Sequence, residues 1–162
     1  MRALGETASH ETRVYFTGGV SAVLMGWRHS TIDLDIEIVP ERDDILRAIP
    51  ALKEQLEINV ELAAPSHFIP ALPGWEDRSV FIGKEGPVAF HHYDFYAQAL
   101  AKIERGHEQD RGDVAAMLAH HLVEPGRLRT LFNAIEPELY RYPAINPESL
   151  RRAVDRAIDG SA

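Results

Sequence analysis

Three acids alternate with apolar residues in the run "IDLDIEI", where Asp33, Asp35 and Glu37 sit between Ile32, Leu34, Ile36 and Ile38. In an extended chain, side chains two residues apart point the same way and lie about 6–7 Å apart. Asp33 and Asp35 can therefore aim two carboxylates at one volume while Ile32, Leu34 and Ile36 anchor the opposite face in a core. Like charges so placed repel unless something positive lies between them. A divalent cation removes that penalty, and a two-metal site can align an attacking and a leaving oxygen. A solvated sheet face is the plain alternative. Aspartate is a poor strand former, which singles out Asp33 and Asp35 more than Glu37.

Upstream, "TRVYFT" (12–17) reads as a short strand, Gly18 and Gly19 break it, and "VSAVLMGW" (20–27) has the composition of a buried helix. A strand–Gly–Gly–helix junction lets backbone N–H groups approach a phosphate closely, and the helix N-terminus favours the negative charge. Ser21 adds a hydroxyl in the first turn. Thirteen residues separate Gly19 from Asp33, enough for one helix and a return to a neighbouring strand. Such a return brings a phosphate cradle beside the two carboxylates. A glycine pair taken alone is more often just a tight turn.

Together these residues resemble a known superfamily. Gly18-Gly19, a helix, then Arg28, Thr31, Asp33 and Asp35 look like the signature of the DNA-polymerase-β-type nucleotidyltransferases. Within it, "GGVSAVLMGWRHSTIDLDI" is similar to the small bacterial nucleotidyltransferase-like proteins related to AbiEii-type toxins. The resemblance implies that Gly18, Gly19 and Ser21 contact the triphosphate of an NTP, with Arg28 and Thr31 beside them, and that Asp33 and Asp35 bind Mg²⁺ or Mn²⁺. It also implies a third carboxylate on a later strand that helps deprotonate the attacking hydroxyl. The matching element is 57–62, "EINVEL", where Glu61 is the natural candidate and Glu57 and Asn59 share its face; an exposed strand face is the other reading. A second likeness lies in "ALAKIERGHEQDRGDVAAML", where Lys102, Arg105, Asp110 and Asp113 match a Lys–Arg–Asp–Asp pattern of the same families. There Lys102 would bring a compact charge to the triphosphate, with Arg105 one turn further on, while Asp110 and Asp113 on one helix face either orient Lys102 and Arg105 by ion pairing or reach the site themselves. A surface salt-bridge network is the alternative. The implied partners are an NTP, an acceptor such as a tRNA end or a protein hydroxyl, and an antitoxin-type protein. A catalytically silent domain serving as a partner-binding or regulatory module is the rival reading.

The rest of the pattern supplies the framework for these residues. "ERDDILRAIPALKEQL" (41–56) reads as a helix that Pro50 kinks or interrupts. Pro65, Pro70, Pro73 and Gly74 mark 65–74 as a long loop. "RSVFIG" and "PVAFHHY" form a hairpin closed by "KEG". Helices are expected near 94–105, 108–122, 127–141 and 147–158. The fold class is α+β: a mixed sheet with flanking helices over 1–92, then a C-terminal helical bundle over 93–162, forming a single domain. Only about ten residues precede the first strand, so a helix covering that edge is expected to be short or absent, and a homodimer partner is one way to cover it.

Composition narrows the chemistry further. The chain has 162 residues, no cysteine and a formal net charge of −8. Disulfides and thiolate metal sites are excluded, and hard oxygen ligands favour Mg²⁺ or Mn²⁺ over zinc. The absence of cysteine fits a reducing cytoplasm. The acidic balance argues against nonspecific nucleic-acid coating, although Arg105 with Arg111, and Arg151 with Arg152 and Arg156, could supply a local basic groove. No run approaches the roughly 18 apolar residues that cross a bilayer, and "MRALGETASHE" lacks the apolar core of a signal peptide. The adjacent pairs His91-His92 and His120-His121 point apart and chelate poorly. His92 is a candidate to line the site from the last strand, and Trp75 a candidate to stack on a base.

Overall fold

The structure, a computed structural model, describes residues 1–160. The chain divides into two compact units, the first made of Met1–Ala64 and Ser79–Tyr93, the second of Pro65–Arg78 and Asp94–Ala162. The fold class is α+β, with a five-stranded mixed sheet, flanking helices and C-terminal helices, as the sequence predicts.

The first unit opens with helix α1 (Arg2–Thr7), strand β1 (Thr12–Phe16), helix α2 (Gly18–Met25) and strand β2 (Asp33–Val39). Helix α3 (Asp43–Leu56) and strand β3 (Asn59–Leu62) come next. The short helix α4 (Trp75–Arg78) belongs to the second unit, and the hairpin β4 (Val80–Glu85) and β5 (Val88–His92) completes the sheet. The strand order is β3-β2-β1-β5-β4, with β1 antiparallel to β2 but parallel to β5, and β2 parallel to β3.

Apolar periodicity explains the packing. Ile45, Ile49 and Leu52 recur at helical spacing on α3 and join Val14, Phe16, Ile36, Ile38, Val60, Val88 and Phe90 in one core. Pro50 does not interrupt α3, which runs unbroken through it. Its position explains why: Pro50 is exposed, so the carbonyl one turn back that loses its N–H partner can be hydrated. The expected core face of β2 also needs one correction. Leu34 is half-buried and Ile36 and Ile38 are buried, but Ile32 is 86% exposed. It precedes the strand, in the loop that carries Thr31 towards the glycine pair.

The second unit is helical. Helices α5 (Phe95–Arg105), α6 (Glu108–Ala119), α7 (Pro125–Ile135) and α8 (Pro147–Asp159) are joined by short turns, with a 3₁₀ stretch at Glu136–Arg141. α6, α7 and α8 all pack against α5, burying Leu100, Val114, Met117, Leu128, Phe132, Leu150 and Val154. Asp94 caps α5 by accepting from the Tyr96 N–H at 3.1 Å, and left-handed Gly106 ends it.

Candidate functional site

Helix α2 begins at the glycines themselves, with Thr17 as N-cap, and it ends at Met25 on left-handed Gly26. Both glycines are needed where they stand. Gly18 has φ +60°, and a Cβ there would lie 2.6 Å from Asp35 Oδ2. A Cβ on Gly19 would lie 2.2 Å from Thr31 Oγ1 and 3.4 Å from Arg28 Nη1. The turn is thus wedged between the acidic strand and the loop preceding it, and five of the sequence-predicted residues meet at one place: Gly18, Gly19, Arg28, Thr31 and Asp35. The Thr17 N–H donates to the Asp35 carbonyl at 3.0 Å, tying the turn to β2 through the backbone as well.

Parallel pairing of β2 with β3 places Asn59 beside Asp33 and Glu61 beside Asp35. Neighbouring strands lie about 4.8 Å apart, so Asp33, Asp35 and Glu61 share one corner of the sheet. Asp33 and Glu61 are exposed and Asp35 is half-buried. Asn59, which the sequence places on the face of Glu61 without a role, gains one here. Its Nδ2 donates to Asp33 Oδ1 at 2.7 Å and to Glu61 Oε1 at 2.9 Å, bridging two acids from different strands. The available signal was the alternation of "EINVEL", which puts Asn59 and Glu61 on one side. Thr31 Oγ1 also donates to the Asp33 carbonyl at 3.0 Å, fixing the entry to the strand. Glu37 is half-buried further along, beside Tyr15 of β1.

Ser21 is fully buried rather than turned to solvent. Its hydroxyl donates to the Phe16 carbonyl at 3.1 Å and lies 3.0 Å from His92 Nδ1. His91, on the other side of β5, rests against the rings of Tyr15 and Phe81. Burial pulls the pKa of both histidines below the ordinary value.

The second unit holds a cluster of paired charges. Lys102 Nζ donates to Asp113 Oδ2 at 2.6 Å and to Asp110 Oδ1 at 3.2 Å, and Arg105 grips Asp110 with Nε at 2.7 Å and Nη2 at 2.6 Å. Lys102, Asp110 and Asp113 are 4%, 2% and 2% exposed. The surface salt-bridge reading is therefore corrected: the pairs are buried between α5 and α6, with only Arg105 reaching solvent. Burial alone would raise the Asp110 pKa, but Arg105 and Lys102 together bring it below the ordinary carboxylate value. A second buried pair escaped the sequence reading. Asp94 accepts from Arg78 Nε at 3.0 Å and Nη2 at 2.6 Å, and its burial still raises its pKa against that pull. Its signal was an aspartate at a helix start. Trp75 is half-buried at the start of α4.

The chain's relatives bear on what this arrangement does. Residues 1–152 match the family model described as "Nucleotidyltransferase of unknown function (DUF6036)". The chain belongs to this family. Comparison with curated proteins and with solved structures returns no match. Within the first unit, Asp33 and Asp35 at the acid corner are the side chains that could hold a divalent cation. Among the described residues, no three His, Cys, Asp or Glu side chains are grouped so as to hold a metal by themselves. The donor set nonetheless fits Mg²⁺. That ion keeps several waters and is commonly bound through one or two carboxylates plus substrate phosphates, and Asp33 and Asp35 provide the two carboxylates next to a turn where a side chain would not fit. No helix of the described residues is long and apolar enough to cross a membrane.

Proposed function

We propose that the first unit binds an NTP with its phosphates over Gly18 and Gly19, and transfers the nucleoside monophosphate to an acceptor oxygen. One observation carries this reading: the glycine turn is packed directly on Asp35, Thr31 and Arg28, so a phosphate seated on it would lie beside the carboxylates. Asp33 and Asp35 would hold Mg²⁺ or Mn²⁺. When bound, the cation neutralises charge on the phosphates as the transfer proceeds. The glycine N–H groups at the start of α2 would bind phosphate oxygens, and Arg28 would add positive charge at the same place. Thr31 keeps Asp33 in place through its carbonyl, and Asn59 orients the Asp33 and Glu61 carboxylates. Glu61 would take the acceptor's proton. The bond that forms joins the acceptor oxygen to the α-phosphorus, and the bond that breaks releases pyrophosphate. Ser21 serves the turn from within rather than touching phosphate. Lys102, Arg105 and Asp110 carry no step in this proposal, because their charges are already committed to one another.

The likeness to AbiEii-type toxins extends the proposal to the acceptor, an RNA end such as that of tRNA or a protein hydroxyl, and to a toxin–antitoxin setting. Calorimetry with Mg²⁺ and each NTP tests the binding step. Wild type is expected to bind at least one NTP in a Mg²⁺-dependent way, and Asp33→Ala/Asp35→Ala to lose it. No metal-dependent binding by wild type would overturn the reading and favour a silent, partner-binding domain. Transfer of label from α-³²P-NTP into cell RNA or protein would then identify the acceptor.

A further inference from the structure

Ser21 and His92 are 71 residues apart in the chain, yet their side chains meet inside the first unit. The hydroxyl proton of Ser21 is committed, because its partner, the Phe16 carbonyl, can only accept. With the hydroxyl proton given to Phe16, the 3.0 Å contact makes the His92 ring the donor, through a proton on Nδ1. His92 is 5% exposed. The same Phe16 carbonyl accepts the Tyr93 N–H at 2.8 Å, and Phe16 lies opposite His92 in the β1–β5 register. The end of β5 thus holds the end of β1 twice, once through its backbone and once through the relay from His92 to Ser21 to Phe16. Immediately beyond Phe16 stand the N-cap Thr17 and the glycine pair.

We propose that His92 is a positioning residue for the phosphate-binding turn: by donating to Ser21 it sets how Gly18 and Gly19 leave β1 and how closely they seat on Asp35. The inference rests on the reading of that turn given under Proposed function, but its first tests do not depend on nucleotide. Two-dimensional ¹H–¹⁵N correlation of the imidazole at neutral pH reads the tautomer directly. An Nδ1–H ring is expected, and an Nε2–H ring would overturn the proposal. Asparagine places a donor where Nδ1 stands, whereas leucine keeps bulk and loses the donor. His92→Leu is expected to speed hydrogen exchange of the Thr17 and Tyr93 amides about tenfold or more, and His92→Asn to restore protection to within about threefold of wild type. Ser21→Ala should reproduce His92→Leu, and the double variant should be no worse than either single one. Equal exchange in His92→Leu and His92→Asn would overturn the proposal, because only packing would then matter. Where Mg²⁺–NTP binding is measurable, His92→Leu should weaken it about tenfold with His92→Asn near wild type. Unchanged affinity in His92→Leu alongside faster exchange would refute the link to the phosphate turn. Absence of binding in wild type would instead refute the nucleotide reading, leaving the tautomer and exchange results to decide the role of His92.

Discussion

Lys102→Met removes one ammonium from a cluster that has little solvent to replace it. The side chains of Lys102, Asp110 and Asp113 are 5%, 3% and 2% exposed. Asp110 keeps both hydrogen bonds from Arg105, but Asp113 loses the ammonium at 2.6 Å. Breaking a buried pair by removing one partner costs about 3–5 kcal/mol, against about 0–1 kcal/mol for an exposed pair. At about 2–4 °C per kcal/mol for a chain of this size, the melting temperature should fall by roughly 6–20 °C. Lys102→Met/Asp113→Leu removes both charges and leaves the Arg105–Asp110 pair neutral in sum, so most of the loss should return. Urea titration can assign the loss to one unit, because Trp27 lies in the first and Trp75 in the second. In a Trp27→Phe background the emission of Trp75 should shift its midpoint. A loss under about 1 kcal/mol, or a double variant no more stable than the single one, would refute the claim that these charges are buried and mutually compensating.

Gly18→Ala should cost about 1–2 kcal/mol from its left-handed backbone alone and displace Asp35, lowering Mg²⁺–NTP affinity in calorimetry by about tenfold or more. Gly19→Ala should be rescued in thermal stability by Thr31→Gly, since Thr31 Oγ1 and Cβ are the atoms nearest the added methyl. Asn59→Asp removes the donor between Asp33 and Glu61 and adds a fourth carboxylate to the corner, so the apo protein should melt lower and Mg²⁺ should raise its melting point more than in wild type. The Asp110 pKa lies below its unfolded value, so its stabilisation is present above about pH 3.9 and is lost as pH falls through the folded value; Asp110→Asn should flatten that limb of an acid titration followed by circular dichroism. For His92 the sign is the same but the window is higher: burial disfavours the charged ring, so stability should fall as pH drops below about 6.5 and level off beneath the folded pKa.

The elements were legible where one face of the chain is buried and the other is not. Alternation in β2 and the helical spacing of Ile45, Ile49 and Leu52 reflect that asymmetry directly. Gly18 and Gly19 were legible as a break but not as the start of the helix, since glycine disfavours a helix interior and its place here is set by Asp35 and Thr31 pressing on it. Ile32 was misread because strict alternation carries no mark of where a strand begins. The depth of Lys102, Asp110 and Asp113 was hidden for a different reason: charged residues are mostly exposed, and only the packing of α5 on α6 reveals that these neutralise one another. The bridges from Asn59 to Asp33 and from His92 to Ser21 join residues far apart in sequence, so no local pattern encodes them.

Strand β1 stands in the middle of the sheet, and its parallel neighbour β5 begins 76 residues after it, at Val88 opposite Thr12. Every residue proposed to touch nucleotide or cation has been synthesised by Glu61, yet the sheet that holds them cannot close until the hairpin emerges. Until then β1 has one open edge, and Val14 and Phe16 lack Val88 and Phe90. Loop closure over so long a span is slow relative to local helix formation. A fragment ending near Ala64 would carry the whole signature without the strand that seats it, and excised alone it is expected to bind nothing and to aggregate through that edge.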